Sequence, residues 1–271
     1  IAYGIMLSQI GVGIDLSPGA SVGLAGLALV LCIEAGVPTG IGIIAALMVG
    51  LFVGAINGLL ISRASMNPFI VTLSIMYIGN SIERVITRGG LPIYLYGPAS
   101  TKTFEFLFRG KILGIQFPIW VMILVTIIYY IFMEKSIFGR RLYACGMSLK
   151  GARASGINVR RYYALIYTIS GFSAAIAGLL VASQVRSAQP MVGKSFLWDA
   201  IGAAFLSTLM SKNMRPNVLG TLFGVIVLAV LTNGLTLLGL NFYWKEFFRG
   251  LLIIIILLIS VVKRKVGEQG V

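Results

Sequence analysis

Two aspartates stand where a mostly apolar chain, 58% hydrophobic, breaks its own pattern. Asp15 lies in "GIDLSPGAS" (13–21) and Asp199 in "SAQPMVGKSFLWDAIG" (187–202), and each stretch sets Gly, Pro, Ser and one Asp beside an apolar helix. A Pro or Gly interruption paired with a buried acid, in matching positions of two halves, points to a solute path through a membrane protein. Polar residues inside apolar runs add Ser17, Asn57, Asn67, Gln189 and Asn233 as candidates for that path, since a polar side chain facing lipid is costly unless it meets protein or water. The competing role for the asparagines is an interhelical hydrogen bond of about 0.6–2 kcal/mol. For Asp15 it is capping, by accepting the free N–H groups of the next helix. Covalent chemistry is poorly served. There is no histidine, which removes the commonest general base and metal ligand, and no Ser, Lys and Asp pair sits at a spacing that activates a nucleophile. Cys32 and Cys145 fall in an apolar run and a basic loop, and no disulfide is expected between them.

The elements that must position these residues are membrane spans. A mean hydropathy of +0.96 and 11% charged residues leave too little polar surface for a water-facing shell. Stretches of spanning length, about 17–25 residues, run over 18–36, 41–61, 68–88, 117–133, 162–183, 218–238 and 246–262, with less regular pieces at 1–13 and 195–210. The expectation is an all-α polytopic membrane protein with about nine to ten transmembrane helices, some broken, in two related halves. It forms one transmembrane domain over 1–271. The opening run has no charge and starts at Ile1, so a preceding native segment is expected.

The net charge of +14 is not a nucleic-acid signature, because the basic residues sit between apolar runs rather than on one soluble face. They are densest in "GRRLYACGMSLKGARASGINVRRYY" (139–163). With that loop inside and the spans alternating, 13 of the 22 Lys and Arg fall on its side, which makes the loop, the opening run and the C-terminus cytoplasmic. Within it Ser148 is a good N-cap and Gly156 a good stop for a helix over 149–155. Two turns span about 10 Å, too short to persist alone in water. Such a helix needs a docking surface, and Gly151, Ala152 and Ala154 suit entry into a groove on another protein; the alternative is a cationic anchor on anionic lipid.

"GVGIDLSPGASVGLAG" (11–26), "NGLLISRASMNPFIVTLSIMYIGNSI" (57–82), "FGRRLYACGMSLKGARASGINVRRYYALIYTISGFSAAIAGLL" (138–180), "SAQPMVGKSFLWDAIGAAFL" (187–206) and "LTNGLTLLGL" (231–240) resemble, in collinear order, the monosaccharide permeases of ATP-binding-cassette importers, those for ribose, arabinose, xylose and autoinducer. The resemblance implies a second permease subunit, two cytoplasmic ATP-binding subunits that hold ATP and Mg, and an extracytoplasmic solute-binding protein, in a bacterial inner membrane. No cofactor is expected in this chain, and no G-x-x-x-x-G-K-[ST] run is present. It further implies that the coupling loop, 138–162, meets the ATPase through Gly139, Arg140, Arg141, Ser148, Ala152, Arg153, Ser155, Gly156 and Ile157. Two segments depart from the family pattern, "SLKGARASGI" after the cap and "LSTLMSKNMRPNVLG" (206–220) after the second break.

Tyr77, Phe196, Trp198 and Phe205 offer ring faces to a sugar, with packing as the alternative. Trp120, Tyr129, Tyr130, Phe132, Tyr162, Tyr163, Phe242, Tyr243 and Trp244 are expected in an interfacial belt. Two other functions remain open at this point. One is an ion-gradient carrier or channel with Asp15 and Asp199 as coupling acids. The other is a permease of the same class for nucleosides or branched-chain amino acids.

Overall fold

Nearly every apolar run becomes a helix within a few residues of the expected bounds. The computed structural model describes residues 1–11, 13–95, 101–211 and 214–269. In chain order these form α1 (Ala2–Gly11), α2 (Pro18–Glu34), α3 (Thr39–Ser62), α4 (Pro68–Ile86), β1 (Ile93–Tyr94), α5 (Thr101–Arg109), β2 (Lys111–Ile112), β3 (Ile115–Gln116) and α6 (Phe117–Tyr130). A π-helical turn, Ile131–Lys135, follows α6. Then come α7 (Ile137–Met147), α8 (Leu149–Ala154), α9 (Val159–Val185), β4 (Ser187–Ala188), α10 (Gly193–Leu209), α11 (Val218–Leu237) and α12 (Phe242–Gln269). Five of these segments, α3, α4, α6 with its π turn, α9 and α11, are long and apolar enough to cross a bilayer among the described residues.

Local chemistry sets the boundaries. Proline in the first turn opens α2, α4 and α6, where its missing N–H costs nothing. Asn67 caps α4 by accepting from the N–H groups of Phe69 and Ile70, and Asn217 caps α11 by accepting from Gly220 N.

α9 is the central helix. Against it α3 runs antiparallel through Gly50, Gly54 and Gly58, each so near the α9 backbone that an added Cβ would lie 2.4–2.6 Å from the carbonyl oxygen of Gly171, Tyr167 or Ala164. In lipid, small residues at such a crossing let dispersion and backbone contact replace the hydrophobic effect. α1 also runs antiparallel to α9, with Gly4 beside Ser170 and Gly11 beside Tyr163. It reaches the end of the bundle that carries α7 and α8, here the loop face, only at its last turn. Its start lies beside Tyr129, on whose ring Tyr3 stacks at 5.0 Å.

Two apolar cores follow. One, toward the loop face, joins α1, α7, α10 and the first half of α9 through Ile5, Leu142, Ile166 and Ala203. The other, toward the far face, joins α2, α3 and α9 under Phe104 of α5. There β1 pairs antiparallel with β4, and Arg186 pairs with Glu105 at 2.6 Å.

The aromatic belt needs correction at two positions. Tyr129 and Tyr163 are buried: the Tyr129 hydroxyl bonds Ser173, and Tyr163 donates to Gly11 O at 3.4 Å. A helix end covered by a neighbouring helix is protein interior even at interfacial depth. The side chain of Phe242 lies outside the described residues.

Candidate functional site

Both chain breaks place a helix start inside the bundle. α2 begins at Pro18 after an excursion to the loop face, and α10 begins at Gly193 after one to the far face. The two starts touch, since a Cβ on Gly193 would sit 2.5 Å from Gly19 O. They run in opposite directions, so two positive dipole ends meet inside the bundle, with the N–H groups of Gly19 and Ala20 bonded to Leu16 O and Ser17 O and those of Lys194 and Ser195 to Met191 O and Val192 O. Anionic or hydroxyl-bearing groups are stabilised there.

Asp15 serves the first start. Its Oδ1 accepts from Ser17 N at 2.9 Å and Ser17 Oγ at 2.7 Å, and its Oδ2 accepts from Ser170 Oγ of α9 at 2.7 Å. Asp15, Ser17 and Ser170 are all fully buried. The carboxylate thus turns the chain into α2 and ties it to the central helix.

A second buried acid, Glu83 on α4, was not among the sequence candidates. It accepts from the backbone N–H of Met191, two residues before α10 begins, and is fully buried. The signal was present, because Thr72, Asn80, Glu83 and Thr87 share one helical face.

Asp199 and Asn233 meet at a cavity of about 450 Å³ between α1, α6, α9, α10 and α11, where Ser173, Phe196 and Thr232 join them. Its wall is otherwise mostly apolar. Asp199 pairs with Arg249 of α12 at 2.6 Å. The remaining candidates lie apart. Asn57 is fully buried on α3, Asn67 is the exposed cap of α4, and Gln189 is half-buried in the turn before α10. Of the ring candidates, Tyr77 and Trp198 are exposed on the bundle's outer surface and Phe205 packs against the core.

At the loop face Ser148 caps α8 by accepting from Gly151 N at 3.1 Å. The helix is one residue shorter than 149–155 and ends in a Schellman motif: Gly156 N bonds Arg153 O and Ile157 N bonds Ala152 O, each at 3.0 Å. Gly156 has φ +75° and open space around it. Gly156→Val is therefore expected to destabilise this stop by about 1–2 kcal/mol through backbone strain alone. Faster amide exchange over 152–158 in the purified protein is the measurement, and unchanged protection would remove the requirement for glycine.

Only Ala152 of α8 is buried. Lys150, Arg153, Ser155 and Gly156 are exposed, as are Arg140 and Arg141 on α7, while Gly139 is buried against the carbonyl of Met133 and Ile157 is half-buried. α7 itself is clamped. Gly146 lies against Ile10 O of α1, and the Tyr143 hydroxyl donates to Pro216 O, in the α10–α11 connection, at 2.9 Å. Burial, with Glu134 beside it, holds the Tyr143 phenol above its ordinary range, so it remains a donor. Lys212, in the atypical 206–220 segment, lies outside the described residues.

A family model described as "Branched-chain amino acid transport system / permease component" matches residues 1–257. The chain belongs to this permease family. The permease is 38% identical to the ribose import permease protein RbsC of Bacillus subtilis over 96% of this chain and 80% of that one. It is 32% identical to the RbsC of Haemophilus influenzae, covering 95% and 80%, and 31% identical to the autoinducer 2 import system permease protein LsrD of Yersinia enterocolitica, covering 84% and 69%. No solved structure matches it. Family and fold agree: this is an all-α polytopic membrane protein and a transport component rather than an enzyme.

Proposed function

We propose that the permease is the membrane-spanning subunit of an ATP-binding-cassette importer that moves a monosaccharide or related small polar solute inward. The observation that carries this reading is α8, a capped six-residue helix that joins the bundle through Ala152 and leaves Lys150 and Arg153 exposed at the loop face. A helix that short is not self-sustaining, and a gradient-driven carrier has no evident use for one. Similarity to ribose permeases along nearly the whole chain supports the solute class.

In this reading two permease subunits enclose one path. Two cytoplasmic subunits bind ATP and Mg and seat on α8, and an extracytoplasmic binding protein delivers the solute. The chain lies in a bacterial inner membrane with its C-terminus and loop face cytoplasmic, the side to which alternation of the spans along the sequence assigns 13 of its 22 Lys and Arg. ATP binding shifts the pair between outward and inward openings. α7 is the relay, because the Gly146 contact leads to α1 and onward to Asp15, while the Tyr143 bond leads to α10 and Asp199.

Tyr143→Phe removes one oxygen and little packing. It is expected to leave the complex assembled yet lower solute moved per ATP hydrolysed by roughly tenfold, the value of one buried hydrogen bond, measured in proteoliposomes. An unchanged ratio would take Tyr143 out of the relay. The broader reading is tested by purifying the permease from its native membrane: two copies of an ATPase should accompany it. A lone oligomer whose uptake follows a proton or sodium gradient and ignores ATP depletion would overturn the assignment.

A further inference from the structure

α4 is built inside out. Its exposed surface carries Ile70, Tyr77, Ile78, Ile82 and Val85, whereas its buried face carries Thr72, Asn80 and Glu83, with Thr87 at the cap. Lipid satisfies the outward apolar face. The inward polar face must find partners within the protein, and it does so only in part: Thr72 Oγ1 donates to Pro68 O at 2.9 Å, Thr87 Oγ1 to Glu83 O at 2.7 Å, and one Glu83 carboxylate oxygen accepts from Met191 N.

Between them lies an unmet demand. Both amide atoms of Asn80 and Oε1 of Glu83 have no hydrogen-bond partner among the described residues, although the residues are only 4% and 0% exposed. A buried polar group left without a partner is costly, and ionisable residues inside a membrane bundle are kept for function. α2 gives the carboxylate its space, because a Cβ on Gly23 would lie 2.5 Å from each Glu83 oxygen. The other carboxylate oxygen takes the Met191 N–H, beside the meeting point of the α2 and α10 starts.

We propose that Asn80 and Glu83 form a hydroxyl-recognition pair on the solute path, shut in this conformation by the turn that carries Met191. The inference deepens the importer reading by assigning its polyol contacts. A carboxylate oxygen accepts from one hydroxyl, and an amide one turn away both donates to and accepts from the next. On one helix face the two Cβ atoms are about 5–6 Å apart, a spacing that suits neighbouring hydroxyls. α2 covers the same face at Ala20 and Gly23, so when the 189–192 turn and the start of α2 part from α4, the Met191 bond breaks and the pair faces the opening. A solute lacking one of those hydroxyls leaves a buried group unpaired and is rejected.

The experiment places Asn80→Cys in a Cys32→Ser, Cys145→Ser background and reconstitutes the full transporter. A membrane-impermeant methanethiosulfonate is then applied with and without ATP, and with ribose or galactose. Labelling is expected to quicken by roughly tenfold during turnover and to slow when the transported sugar is present. Glu83→Gln should reach the membrane at normal levels and lose about tenfold in uptake, the scale of one bond to a charged group. A cysteine at position 80 that stays unlabelled in every state overturns the proposal, and so does labelling that no sugar slows. ATP-driven uptake of either sugar by the background protein, measured separately, tests the importer reading itself.

Discussion

Gly54→Val is expected to leave almost no folded permease in the membrane fraction. Even the first added carbon would lie 2.4 Å from Tyr167 O and 2.8 Å from Thr168 Cα, and both obstacles are backbone, which cannot rotate aside. α3 and α9 would have to part, and the same separation opens the Gly50 and Gly58 contacts one turn away on each side. Overpacking at a single core site costs about 1–3 kcal/mol. A closest approach shared by three glycines exceeds that range and consumes much of a typical stability of about 5–15 kcal/mol. Gly40→Ala supplies the control, because that glycine in the first turn of α3 has nothing within 4 Å and alanine is the better helix former. Quantifying both variants after mild detergent extraction decides the matter. Equal recovery would mean that α3 does not cross α9 through its glycines.

The reach of sequence reasoning differs by element, and the differences have physical causes. A span is a length of apolar chain, so α3, α9 and α11 were legible within a few residues. The helix starts inside the bundle were legible too, since Pro18 and the Gly and Pro residues around 187–193 interrupt otherwise continuous hydrophobicity. α8 could be placed from Ser148 and Gly156 because caps are local chemistry. α7 was passed over, although Ser136 as cap and Phe138, Leu142 and Cys145 at helical spacing were there to be used; basic residues between them masked the apolar stripe.

Glu83 was missed for another reason. In water a helix turns its polar face outward, and hydropathy alone cannot reveal that lipid reverses the rule. In "SIERVI" Glu83 stands next to Arg84 in the chain, yet α4 buries the acid and leaves Arg84 exposed. The contacts between Asp199 and Arg249, and between Tyr143 and Pro216, join residues far apart in the chain, and no local pattern announces them.

Asp15→Ala and Asp15→Asn are expected to part company, and the difference separates a structural cap from a solute contact. The alanine variant removes every acceptor from Ser17 N, Ser17 Oγ and Ser170 Oγ. A serine hydroxyl on a helix can turn back to a carbonyl of its own helix, but the Ser17 N–H has no such freedom. The loss should be about 2–4 kcal/mol, seen as a lower thermal midpoint and a smaller folded yield. Asparagine keeps one oxygen for Ser17 N and sets an amide N–H₂ toward Ser170, whose hydroxyl then accepts. Fold and uptake should therefore both survive within a few-fold, because the carboxylate points entirely at protein and is fully buried. Asparagine that folds normally while transporting nothing would show that the charge itself acts on the solute, and the capping assignment for Asp15 would have to be withdrawn.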